Sequence, residues 1–112
     1  YGTDSKGWLS SQRSLLAIKE TCEKNNAILL VALQPDLHNV SRESEQYKCH
    51  KIISSFLQDH QITHLDLIDS YRDNGNEDIK GLWVHPDDVH PNSEGHRIIF
   101  EALAPVLDSL LQ

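Results

Sequence analysis

Ala27-Ile28-Leu29-Leu30-Val31-Ala32-Leu33, followed at once by Gln34-Pro35-Asp36, is the stretch on which the fold turns. Seven apolar residues without alternation read as a strand covered on both faces by helices, and so as a central strand of a parallel sheet. Pro35 ends it, because proline has no amide hydrogen for the ladder and biases the preceding residue to extended or turn geometry. Upstream, Leu15, Ile18 and Cys22 recur at helical spacing among Lys19, Glu20, Glu23 and Lys24. They predict an amphipathic helix from an N-cap at Ser10 or Ser11 to about Asn25-Asn26. Downstream, Cys49, Ile52, Ile53, Phe56 and Leu57 form the stripe of a second helix over 43–58, with Glu43 and Glu45 in its first turn, where negative charge is favourable. A shorter strand over 62–68 follows, giving a strand–helix–strand crossover unit expected to be right-handed.

Residues 71–80, with Asn74-Gly75 inside, read as a polar loop. Leu82-Trp83-Val84 is a short apolar step before a loop over 85–91. Asn92 or Ser93 then caps a last helix carrying Ile98, Ile99, Ala102, Leu103, Val106 and Leu107, which Pro105 is expected to kink or divide. The fold class is therefore α/β. Two parallel strands leave an apolar edge unpaired while demanding helices on both faces, so further strands from outside the 112 residues are expected to complete the sheet. The same open edge is a route to self-association. The absence of methionine is read in the same sense, as a sign that the chain is a piece of something longer.

Composition narrows the function classes. Ten basic against 17 acidic side chains give a net charge of −7, which argues against nucleic acid or an anionic membrane as partner. The longest apolar run is too short for a bilayer, so membrane insertion is not expected. Cys22 and Cys49, outside any CxxC pair, read as small core residues on helices and leave the compartment open. The glycosylation triplet Asn39-Val40-Ser41 is common by chance and carries no weight.

The densest chemistry lies in Trp83-Val84-His85-Pro86-Asp87-Asp88-Val89-His90-Pro91-Asn92-Ser93-Glu94-Gly95-His96. An Asp three residues before a His, both on a loop, can fold back so that its carboxylate accepts the imidazole Nδ1 hydrogen, leaving Nε2 as a general base. Pro91 keeps His90 out of helical geometry and Gly95 allows close backbone approach in the first turn of the last helix. In an open parallel sheet this loop falls at the carboxyl ends of the strands, where sites lie. Asp88 is expected to face solvent, and Gln34, Pro35 and Asp36 share the rim.

Here the chain resembles the SGNH, or GDSL-type, hydrolases, serine esterases and lipases whose last motif is Asp-x-x-His followed by Pro-Asn and a Gly-His in the C-terminal helix. Asp87, His90, Pro91, Asn92, Gly95 and His96 match that motif in one run, and the order of elements resembles the C-terminal half of that fold. The resemblance implies a flavodoxin-like three-layer α/β/α parallel sheet of which only the C-terminal half is present. It makes His90 the catalytic base and Asp87 its orienting partner, in an enzyme acting on a small-molecule, carbohydrate or lipid ester without metal or organic cofactor. The family's Gly-Asp-Ser nucleophile block and its oxyanion donors are not matched: Gly2-Thr3-Asp4-Ser5 lacks the preceding apolar strand, and Ser5 is not assigned as nucleophile.

Two other classes compete. One is a noncatalytic α/β module binding a ligand through the same rim. The other is a metal site, since His85, Asp87, Asp88, His90 and His96 lie within twelve residues, although no HxxxH pair occurs among them and Pro86 and Pro91 restrict convergence. His38, His50, His60 and His64, scattered over separate elements, are read as having no shared role.

Overall fold

Ser5, rather than Ser10 or Ser11, starts the first helix: its Oγ accepts the Trp8 amide at 3.2 Å, and α1 runs Lys6–Lys24 with Ser10 and Ser11 inside it. The computed structural model describes residues 5–74 and 79–112. Gly2-Thr3-Asp4 and Gly75 of the expected polar loop lie outside them. After α1 come β1 (Val31–Leu33), α2 (Glu45–Asp59, capped by Ser44), β2 (His64–Asp66) and α3 (Leu67–Asn74). A 3₁₀ turn (Ile79–Leu82), β3 (Trp83–His85), β4 (Asp88–Pro91) and α4 (Ser93–Leu110) complete the order.

The chain is thus mixed α/β, with four helices and two small sheets among the described residues. β1 and β2 pair in parallel, Val31 with His64 and Leu33 with Asp66, joined through α2. The strand expected over 27–33 shrinks to three residues. A ladder exists only where a partner lies alongside, and β2 covers only the end of the run; Ile28 is left 60% exposed. Among the described residues β1 therefore has β2 as its one strand neighbour, and Ala32 within it is exposed.

Three further expectations are corrected. Tyr71 belongs to α3 and not to a polar loop: Leu67, Ile68 and Tyr71 stand at helical spacing and are all buried. The Asp66 carboxylate accepts the Ile68 amide at 3.1 Å and starts that helix in the manner of an N-cap. Residues 85–91 form most of an antiparallel hairpin, with Trp83 opposite Pro91 and His85 opposite Asp88. Pro105 does not divide α4, which continues through it to Leu110.

The core gathers Leu37, Val40, Leu67, Ile68, Tyr71, Leu82 and Ile98, from the β1–α2 loop, α3, the 3₁₀ turn and α4. Each large apolar side chain removed from water here contributes about 1.5–3 kcal/mol. α1 is held separately, through Trp8 packed edge-on to Phe56 with ring centroids 5.4 Å apart, while its Leu9 and Ile18 remain exposed. Cys22 and Cys49 are free thiols and only half-buried. The radius of gyration, 15.3 Å, exceeds the roughly 13 Å of a compact domain of about this length. No helix among the described residues is long and apolar enough to cross a membrane.

Candidate functional site

Asn92 organises the site. Its Oδ1 accepts the Gly95 amide at 3.0 Å and caps α4, while its Nδ2 donates to the carbonyls of Gly81 (2.8 Å) and Trp83 (3.1 Å). One side chain thereby ties the helix start to the 3₁₀ turn and β3, and fixes the position of His90 two residues earlier. Trp83 supports the hairpin from below: its Nε1 donates to the Leu37 carbonyl at 2.9 Å and its ring meets His38 edge-on at 5.6 Å.

Gly95 is required at that junction. A Cβ there would stand 2.7 Å from the Pro91 Cβ, a ring atom that cannot swing aside, and 3.4 Å from the Leu82 carbonyl oxygen. Gly95→Ala should therefore destabilise the chain by about 1–3 kcal/mol, despite alanine's better helix propensity. Urea unfolding measures this, and an unchanged or raised midpoint would show that the Pro91–α4 approach is loose.

His90 stands on β4 with its side chain 83% exposed. Its Nδ1 is hydrogen-bonded to Asp88 Oδ1, and the same oxygen accepts the His90 amide at 3.0 Å. The expected Asp87–His90 bond is not formed. The reason is the tight turn of the hairpin: the Asp87 amide donates to His85 Nδ1 at 3.1 Å, and Asp88, two residues before His90, closes a local Asx-type turn. Asp88, expected only to face solvent, thus holds the imidazole with Nε2 away from the carboxylate. The hydrogen bond from His90, aided by its amide, keeps the Asp88 carboxyl below the usual carboxylate range.

The other rim residues have structural tasks. Gln34 Nε2 donates to the Tyr71 hydroxyl at 3.0 Å, and Asp36 Oδ1 accepts the His38 amide at 2.7 Å with His38 Nδ1 at 2.6 Å. Burial pushes the Tyr71 hydroxyl above its ordinary value, with the Gln34 bond opposing. His96 is exposed on α4. Among the described residues no three His, Cys, Asp or Glu side chains converge in a way that could hold a metal ion.

Sequence reasoning missed a second histidine–carboxylate pair. His50 on α2 is buried, and its Nδ1 lies 2.8 Å from Asp66 Oδ1 at the end of β2; Lys51 Nζ is 3.6 Å from Asp66 Oδ2 and Ser54 Oγ 3.4 Å from it. The signal available was that His50 precedes Ile53 and Leu57 on the buried stripe of α2. Burial pushes the Asp66 carboxyl up, but the His50 hydrogen bond, the Ile68 amide and the Lys51 charge outweigh it and leave the group below its ordinary value. The carboxylate lies between His50 and Ser54, so no serine–imidazole contact exists there and the cluster is not a nucleophile–base pair.

Comparison of the chain with models of known protein families, with curated proteins and with solved structures found no match.

Proposed function

We propose that these residues form the C-terminal half of an SGNH-type serine ester hydrolase with a flavodoxin-like three-layer sheet. Polypeptide outside them supplies the missing strands, the serine nucleophile and the oxyanion donors. The observation that supports this reading most is an exposed His90 held through Nδ1 by an aspartate at a strand-to-helix junction clamped by Asn92. A neutral imidazole so held presents Nε2 as a base. In the reaction the serine Oγ attacks the ester carbonyl as Nε2 of His90 takes its proton. The proton then passes to the leaving alkoxide as the tetrahedral intermediate collapses to the acyl-enzyme, and water repeats the sequence to release the acid.

The resemblance puts the orienting carboxylate at Asp87, while the observed bond goes to Asp88. The Asp88 contact is a local turn in full solvent, where water and salt weaken it. For Asp87 to take that place in the assembled enzyme, as the resemblance implies, the turn between β3 and β4 has to re-form by one residue. Asp87→Asn in the assembled enzyme should then lower kcat by about 10⁴, the loss that follows when a histidine is left in the wrong tautomer. Asp88→Asn should change kcat by less than about tenfold. Steady-state hydrolysis of p-nitrophenyl acetate distinguishes them, and the reverse ranking would assign the role to Asp88. No acyl-enzyme burst is expected from the 112 residues alone; a burst would place a nucleophile within them and overturn the division proposed here.

A further inference from the structure

An open depression of about 510 Å³ lies beside the rim of the parallel sheet, bounded by His38, Ser41, Arg42, Tyr71, Arg72 and Ile79. Its size is that of a small-ligand site. Two guanidinium groups line it in a chain of net charge −7, against Glu43 as the carboxylate in its wall among the described residues. Arg42 is exposed and makes no ion pair or hydrogen bond among the described residues. Arg72 is held rigidly: its Nη2 donates to Asp69 at 2.7 Å, its Nε is 3.7 Å from Asp73, and its plane lies over the Tyr47 ring at 5.4 Å. Its remaining nitrogen, Nη1, is buried and lacks an acceptor among the described residues. A buried guanidinium N–H without an acceptor is rare in a folded chain; Nη1 is closed to solvent in this conformation, so an anion oxygen satisfies it only after the Arg72 side chain shifts toward the depression.

We propose that this depression binds the anionic group of a small ligand, a carboxylate or a phosphate, between Arg72 and Arg42. Arg72 supplies the inner guanidinium, anchored by Asp69 and Tyr47, and Arg42 closes on the anion from the exposed lip. Val40 and Ile79 give the rest of the ligand an apolar wall. His38 belongs both to this wall and to the ring contact with Trp83 under the hairpin, so the site adjoins the support of the strand pair that carries His90. As the subsite for the acidic portion of an ester substrate it rests on the hydrolase reading above; as an anion site it does not.

Titration of the 112-residue chain with inorganic phosphate, glucuronate and glucose, at ionic strength held constant with sodium chloride and followed by amide and guanidinium NMR shifts, tests it. The expected result is saturable shifts at Arg42, Arg72 and Ser41 with at least one anion and none with glucose. Saturation by phosphate alone or by glucuronate alone tells which oxygen acid the site takes. Arg42→Gln, on an exposed loop, should weaken binding about tenfold or more with the fold intact. Arg72→Lys, which keeps the charge and loses the planar fork, should also weaken it. Absence of saturable shifts with either anion up to about 50 mM, equal shifts with glucose, or affinity indifferent to Arg42→Gln would overturn the proposal. Binding is read without turnover, so saturable binding alongside an assembled protein that hydrolyses no ester would sink the hydrolase reading and leave the anion site standing.

Discussion

Replacing His90 by alanine in the assembled hydrolase should lower kcat by about 10³–10⁶ with little change in KM. The size follows from the role: without Nε2 the serine hydroxyl keeps its proton, and both acylation and deacylation lose their general base. The loss cannot be a folding effect in disguise, because the His90 side chain is 83% exposed and contributes nothing to the core around Ile68, Tyr71 and Leu82. Circular dichroism and the urea midpoint should therefore match the unsubstituted protein while p-nitrophenyl ester hydrolysis collapses. An enzyme that keeps a near-native rate with alanine at 90 would remove His90 from the mechanism and with it the hydrolase reading.

The largest stability effect should come from Asp66→Ala, about 3–5 kcal/mol. The substitution strips the His50 imidazole of its acceptor in a buried site and leaves the Ile68 amide, at the start of α3, without its cap. It also removes the more distant of the two carboxylates facing Lys51, which retains Asp69 at 2.9 Å. Asp66→Asn keeps an oxygen for the Ile68 amide and should cost less, so the two variants separate the capping contribution from the ionic one. The pH dependence has a definite sign. The folded-state pKa of Asp66 is depressed, so its stabilisation is present above the ordinary carboxylate value of about 4 and fades as pH falls through the depressed value. The difference in unfolding free energy between the unsubstituted chain and Asp66→Asn should accordingly be largest near neutrality and shrink in acid. A difference that is flat or growing toward low pH would mean that the carboxylate is not held charged by His50 and Lys51.

What could be read locally was read well. The 3.6-residue stripes of α2 and α4, the end of α1 near Asn25 and the Asn92 cap before Gly95 are properties of neighbouring residues, and the structure places each of them within a few positions of the expectation, whereas α1 begins at Lys6, well before the expected cap, and leaves Ile18 of its stripe exposed. Parallel pairing of the two short strands also follows from an unbroken apolar run and the helix between the strands. Strand length was different in kind. A ladder needs a neighbour in space, and β2 is short, so Ala27 to Leu30 remain outside it.

Two choices at the functional rim depended on geometry that no spacing rule contains. Whether Asp87 or Asp88 reaches His90 is decided by the turn between β3 and β4, where one residue of phase swaps which carboxylate lies beside the ring. His50 and Asp66, like Gln34 and Tyr71, are distant in sequence and became partners only when α2 and α3 packed at the end of the sheet. Residue types and their periods therefore determined the helices, the parallel unit and the motif that nominates His90. Tertiary packing decided which polar groups were taken out of water together, because a buried donor must find its acceptor wherever the fold brings one within reach.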